Sequence, residues 1–280
     1  MTFSVALKTY RIQLIAMTAF LAVLYAPIVP DMVKDWYNDD NYSHGFMVPL
    51  IAGYFLYMKR RELLDAEVAP TWVGFLVILA GLAQLLLAWV GVEYFNMRAS
   101  LVVIVSGIVL FIFGREAFRI CRFSLFYLFL MIPIPYIIYD AIAFPLKLFV
   151  TKVSVMFLQL LGVIVLQEGN IIMFPSTTLE VADACSGIRS LMSLIALSVA
   201  YAYFLKISTL KRWIIIVSAV PIAIATNAIR VIITGILAQW WGAKAAEGFF
   251  HEFAGLAVFA LALAMLVGLG ALLCRERSLP

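Results

Sequence analysis

The chain has 280 residues, 65% of them hydrophobic and 13% charged, with a mean hydropathy of +1.06. That composition excludes a soluble globular domain and indicates a polytopic membrane protein of all-α class. The net charge of +4 does not point to nucleic acid, because the basic residues lie in short clusters between apolar runs.

In chain order, the candidate spans are 12–29, 46–58, 72–90, 99–113, 123–139, 187–205, 213–234 and 253–273, about eight transmembrane helices. The second is short and borrows flanking residues from Tyr42 to Gly45. The N-terminal run has a basic start but no small-residue cleavage site, so it is expected to be an uncleaved first span. The stretch 140–166 is apolar but carries Lys147 and Lys152, and is expected to be an interfacial or re-entrant helix. Glu168 to Thr178 reads as a polar, turn-rich connector. No polar linker, solenoid repeat or low-complexity segment divides the chain, so one membrane domain over 1–280 is expected.

The basic residues set the orientation. With the N-terminus inside, the inner side collects Lys8 and Arg11, Lys59 to Arg61, Arg115, Arg119 and Arg122, Lys206, Lys211 and Arg212, and Arg275 and Arg277. Most of the acids fall outside, among them Asp31, Asp35, Asp39, Asp40, Glu180 and Asp183. Counting 140–166 as a further complete span would put Lys211 and Arg212 outside, so the charge bias favours an interfacial helix there.

Three places carry chemistry. The first is Cys185, at the mouth of an apolar helix, where amide groups and the positive helix end lower a thiol pKa. Cys121 and Cys274 fall at inner ends, which leaves Cys185 as a single thiol on the outer face. The plain alternative is a small buried Cys that only packs. The second is Arg230, 17 residues after Trp213. That is about 26 Å along a helix, just inside the boundary of a core about 30 Å thick. It either snorkels to head groups or, with Asn227 one turn earlier, lines a polar pocket. The third is His251, at the outer start of the last span, on the same side as the other histidine, His44. A lone His at a helix mouth is commonly a hydrogen-bonded structural residue.

A thiol, an Arg and a His at one outer pocket make a reaction class. The thiolate attacks a carbonyl, imidazole shuttles the proton, and guanidinium steadies the oxyanion or holds a carboxylate. No His or Cys pair has a metal-ligand spacing, so no metal and no cofactor are expected. A G-x-S-x-G elbow is absent, which argues against a serine hydrolase.

With these residues in view, the chain resembles the exosortase/archaeosortase family. The resemblance rests on Ala184-Cys185-Ser186-Gly187-Ile188-Arg189-Ser190, on Asn227-Ala228-Ile229-Arg230-Val231, and on His251 followed by Gly255. Tyr42-Ser43-His44-Gly45-Phe46 and Met131-Ile132-Pro133-Ile134-Pro135 fit the family's usual context, and the likeness runs from about residue 40 to 270. It implies Cys185 as nucleophile with Arg230 and His251 as the other catalytic residues, His251 marking the bacterial branch. Arg189, Asn227, His44, Glu180 and Asp183 are the supporting or substrate-binding candidates.

The resemblance further implies a multi-pass inner-membrane cysteine peptidase or transpeptidase with its site facing the periplasm. Its partners would be the lipid bilayer and exported proteins ending in a Pro-Glu-Pro-like signature (the PEP-CTERM type), an apolar helix and a basic cluster. Cleavage would pass through a thioester to water, an amine or a lipid acceptor, in work tied to exopolysaccharide and biofilm export. The chain stops at Pro280, so any accessory function would belong to a separate protein. The competing reading is a non-enzymatic transporter or scaffold for polysaccharide or lipid export, with Arg230 and Asn227 lining a path.

Overall fold

The computed structural model describes residues 1–175, 178–181, 188–241 and 249–275, with the backbone alone at 188, 238, 240–241 and 249–252. The chain divides into two compact units, Met1–Pro135 and Tyr136–Pro280.

The first unit is helical. It comprises α1 (Phe3–Thr9), α2 (Arg11–Leu24), α3 (Val29–Asn38), a 3-10 stretch Asp40–Phe46, α4 (Met47–Met58), α5 (Arg60–Asp65), α6 (Trp72–Val90) and α7 (Tyr94–Tyr127). In lipid, Leu against Leu gains little over Leu against an acyl chain, so close backbone approach has to hold helices together. The α6–α7 hairpin does this at Gly74 and Gly107, where a methyl group on Gly107 would sit 2.8 Å from the Ile78 nitrogen. Helix α7 breaks at Gly114, whose φ of +86° is a conformation that L side chains rarely adopt. Its α-carbon also lies against the Ala69 carbonyl, leaving no room for a side chain.

This unit sorts its charges to two ends. At one end the Phe3 amide donates to Ala66 O at 2.9 Å, Val68 to Met1 O at 2.9 Å and Glu67 to Glu116 Oε2 at 3.0 Å. The clusters at Lys8, Lys59 to Arg61 and Arg115 belong to these segments. At the other end Arg98, only 7% exposed, pairs with Asp35 at 2.6 Å, and the Tyr25 hydroxyl meets Ser100 Oγ at 2.6 Å. Glu67 and Glu116 thus share one end with these basic segments, and the Asp35–Arg98 pair lies at the other.

The second unit contains α8 (Tyr136–Leu160), strands β1 (Leu166–Glu168), β2 (Ile171–Met173) and β3 (Thr178–Glu180), then α9 (Ile188–Phe204), α10 (Thr209–Trp241) and α11 (Phe249–Arg275). Helix α10 is its axis, packed against α8, α9 and α11. Small residues allow this, with Ala219, Ala223 and Ala262 all at most 2% exposed. At the start of α10, Lys211 Nζ donates to Leu273 O at 2.8 Å and Arg212 Nη2 to Leu205 O at 3.2 Å. These cations satisfy the last carbonyls of α11 and α9 and oppose the negative ends of both helices.

Two expectations need correction. The polar connector at Glu168 to Thr178 is an antiparallel sheet of order β1-β2-β3. Gly169 at φ +61° and Asn170 form its two-residue turn, with the glycine at the first central position as a II′ hairpin requires. The span 123–139 is not one helix. The α-helix ends at Tyr127, a 3-10 turn covers Leu128–Met131, and Pro133 and Pro135 lack the N–H that would continue it. Most of 140–166 belongs to α8, a single helix that is apolar and long enough to cross a membrane.

Among the described residues five helices meet that length and hydropathy, or six if α1 and α2, bent by 76°, count as one span. The expected eight is not reached, because α4 and α9 are short apolar helices. By length and hydropathy alone α8 could cross, while the charge bias places both of its ends on one side. Reporters fused after Asp140 and after Gln167 are expected to report the same side. Opposite sides would mean a complete crossing and would exchange the two faces of everything that follows.

Candidate functional site

Within the second unit, the elements that carry the sequence candidates meet at the end of α10 opposite Lys211. Leu191 and Leu194 near the start of α9 share a buried cluster with Ile222 and Ala223. One turn beyond these on α10 come Thr226 and Asn227, at 0% and 1% exposure. The Thr226 hydroxyl donates back to Ile222 O at 2.9 Å, which satisfies a polar group that lipid would not. Asn227 is thus interior to the helix packing, as its place in the sequence implied.

Arg230 follows on the same helix and is half-buried. Its guanidinium lies next to α11 at Gly255. A methyl group on Gly255 would be 3.5 Å from Nη2, 3.7 Å from Cζ and 3.8 Å from Nη1. The glycine is thus a floor for the planar fork, with room for a methyl and no larger group. His251 stands four residues before Gly255 in α11, one helical turn toward its start. The antiparallel pairing of α10 and α11, with Arg230 and His251 at one end, follows from contacts at both ends: Lys211 with Leu273, and Arg230 with Gly255.

The sheet packs onto this same end. Leu179 and Val181 are 9% and 1% exposed and join a cluster with Ala228 and Val231, the residues flanking Ile229 and Arg230. Leu158 of α8 and Phe174 complete the wall, each against Gly235. Val181 is the last described residue before the segment containing Cys185, and α9 begins at Ile188, with Arg189, also half-buried, as its second residue. Cys185 and Asp183 themselves lie outside the described residues. Glu180 ends β3, exposed, and accepts a hydrogen bond from Asn170 Nδ2 at 3.3 Å.

His44 sits in the first unit and has a different task. Its Nε2 is 3.2 Å from Leu130 O, while Trp36 Nε1 donates to Met131 O at 2.8 Å and Tyr42 Oη to Ile134 O at 3.1 Å. The Pro-broken stretch after α7 leaves these carbonyls without helical donors, and three side chains from 36–44 supply them. Two stretches that the family resemblance singled out, Tyr42 to Phe46 and Met131 to Pro135, therefore bind each other.

Among the described residues no group of three or more His, Cys, Asp or Glu could hold a metal ion. A protein-family model described as transmembrane exosortase matches residues 36–268. The chain belongs to the transmembrane exosortase family. The matched region of this exosortase covers His44, the sheet, Cys185, Arg230 and His251, and leaves α1 and α2 outside. No curated protein and no solved structure matches the chain.

Proposed function

We propose that this exosortase is a membrane-embedded cysteine peptidase or transpeptidase that cuts the C-terminal sorting signal from exported proteins at the outer face of the inner membrane. The observation that carries the reading is the Arg230 guanidinium seated on Gly255, one turn from His251, at the end of α10 to which Val181 leads the chain before Cys185.

In this mechanism His251 takes the thiol proton and the Cys185 thiolate attacks the scissile carbonyl carbon. The carbonyl oxygen gains charge and is held by the Arg230 fork. Collapse breaks the C–N bond, the imidazolium returns its proton to the leaving amine, and a thioester remains on Cys185. Water, an amine or a lipid nucleophile, deprotonated by His251, then attacks the thioester and restores the thiol. A buried Asn227 one turn before Arg230 supports a dry, polar pocket in which such a charge is strongly felt.

The direct test is co-expression with an exported protein ending in a Pro-Glu-Pro-type signature, an apolar helix and a basic cluster. A new C-terminus at the signature, found by mass measurement and dependent on this chain, is expected. An uncut tail at full expression of both proteins would sink the proposal.

The two histidines separate cleanly in rate. His251→Ala is expected to lose a proton-transfer contribution of roughly 100-fold or more at saturating substrate. His44→Ala removes one hydrogen bond, about 1 kcal/mol of stability, and should leave a measurable rate at matched membrane levels. A dead His44→Ala beside an active His251→Ala would reverse the assignment.

A further inference from the structure

From the sheet we infer that the strand β3 is the docking edge for the substrate, which binds in extended form as an added fourth strand. This rests on the reading of the chain as a tail-cleaving peptidase and adds how the tail is held. Strand order is β1-β2-β3, so among the described residues β3 has a partner on one side only. The Val181 amide donates to Asn170 O at 2.9 Å, and Leu179 faces Ile172 in the same register. In an antiparallel ladder residues alternate in the side to which they turn N–H and C=O. Val181 and Leu179 spend theirs on β2, so Thr178 and Glu180 turn theirs outward.

Among the described residues nothing hydrogen-bonds to that outward edge, and both Thr178 and Glu180 are exposed. The strand behind the edge is not free to move away. Leu179 and Val181 are buried in the cluster that includes Ala228 and Val231, on either side of Arg230. An edge of unpaired main-chain groups is a template for another extended chain, and a native protein usually blunts it. This one is anchored by Leu179 and Val181 in the cluster that also holds Ala228 and Val231.

The spacing selects the occupant. Outward residues two apart lie about 7 Å from each other, and each offers one donor and one acceptor. That pattern is met by a peptide main chain in the β conformation and by no helix, whose amides are already used. Cys185 is five residues beyond Glu180, at most about 17 Å of extended chain. A peptide lying along β3 therefore reaches the thiol within a few residues, so the docked stretch adjoins the scissile bond. Main-chain pairing holds the backbone of the signature, and its side chains, on alternating faces, remain available for recognition.

The test uses the full-length protein in vesicles and a synthetic tail carrying a Pro-Glu-Pro-type signature and its apolar helix. Each non-proline amide near the scissile bond is N-methylated in turn. The expected result is alternation: methylation at every second position raises KM by roughly tenfold or more, and the positions between are tolerated. On the protein side, Glu180→Pro deletes an outward N–H while sparing the Val181–Asn170 bond, and edge strands accept proline there. Its KM should exceed that of Glu180→Ala, which reports the side chain alone, by a similar factor, with kcat little changed.

A flat methylation scan, or equal KM values for the two Glu180 variants, would overturn strand docking and leave the peptidase reading intact. If Glu180→Pro does not accumulate, the methylation scan decides alone. An unmethylated tail that is not cut in a Cys185-dependent way overturns both.

Discussion

Cys185→Ser is expected to abolish processing of a tail-bearing substrate while the protein still accumulates in the membrane. A hydroxyl is far less ionised than a thiol at neutral pH, and the thiolate is the attacking species. Loss of a nucleophile of this kind costs on the order of 10⁴-fold or more in rate, with residual turnover from binding and oxyanion stabilisation alone. The controls are the other two cysteines. Cys121 is 7% exposed, and Cys274 is half-buried near the end of α11, nineteen residues beyond Gly255. Cys121→Ala is the cleaner control, because serine would bury a hydroxyl there. Cleavage is read as the mass of the substrate's C-terminus. Normal processing by Cys185→Ser would end the thiol mechanism and return the chain to a transport or scaffold role.

What could be read from the sequence depended on the length scale of the signal. The apolar run 72–90 coincides with α6, and α9, α10 and α11 fall where the late spans were expected, because a long apolar run in lipid has few alternatives to a helix. The sheet was missed because three-residue strands give no usable period. The signal that was present was Glu168-Gly169-Asn170-Ile171, a Gly-Asn pair between apolar runs and hence a hairpin turn. The boundary near 135 was misplaced because continuous hydrophobicity hides the break that Pro133 and Pro135 impose; the prolines were the better guide.

Of the candidate residues, Arg230 stood out as a charge where lipid makes one expensive, and His251 as a helix-mouth residue expected on the same side as Cys185. Gly255 was legible only as part of a motif, since its use as a floor for a guanidinium appears once α10 and α11 are side by side. The cluster that holds Val181, Ala228 and Val231 joins residues about fifty apart in sequence, and no local pattern reports it. His44 drew notice for being one of two histidines, and its partner proved to be a main-chain carbonyl, which sequence does not advertise.

Arg230→Lys is expected to fail almost as badly as Arg230→Ala, each losing about 10²- to 10³-fold in kcat, the scale for removing an oxyanion donor. The guanidinium is a planar fork beside Gly255, where a methyl group would be 3.5 Å from Nη2 and 3.8 Å from Nη1. An ammonium on a flexible stem keeps the charge and loses the plane, so it cannot hold a developing oxyanion at a fixed geometry. A purely electrostatic role would predict the opposite, with Lys rescuing most of the rate. The floor itself gives an independent check. Gly255→Ala adds a methyl at ordinary contact distance from Nη2, 3.5 Å, and should be tolerated. Gly255→Leu needs space that the guanidinium occupies, so it should lower kcat toward the Arg230→Lys value without lowering membrane levels. The two effects should not add in the Arg230→Lys/Gly255→Leu double variant, because the second substitution displaces a fork that the first has already removed. Full activity in Arg230→Lys would reduce Arg230 to a generic positive charge, and additive losses in the double variant would separate Gly255 from it.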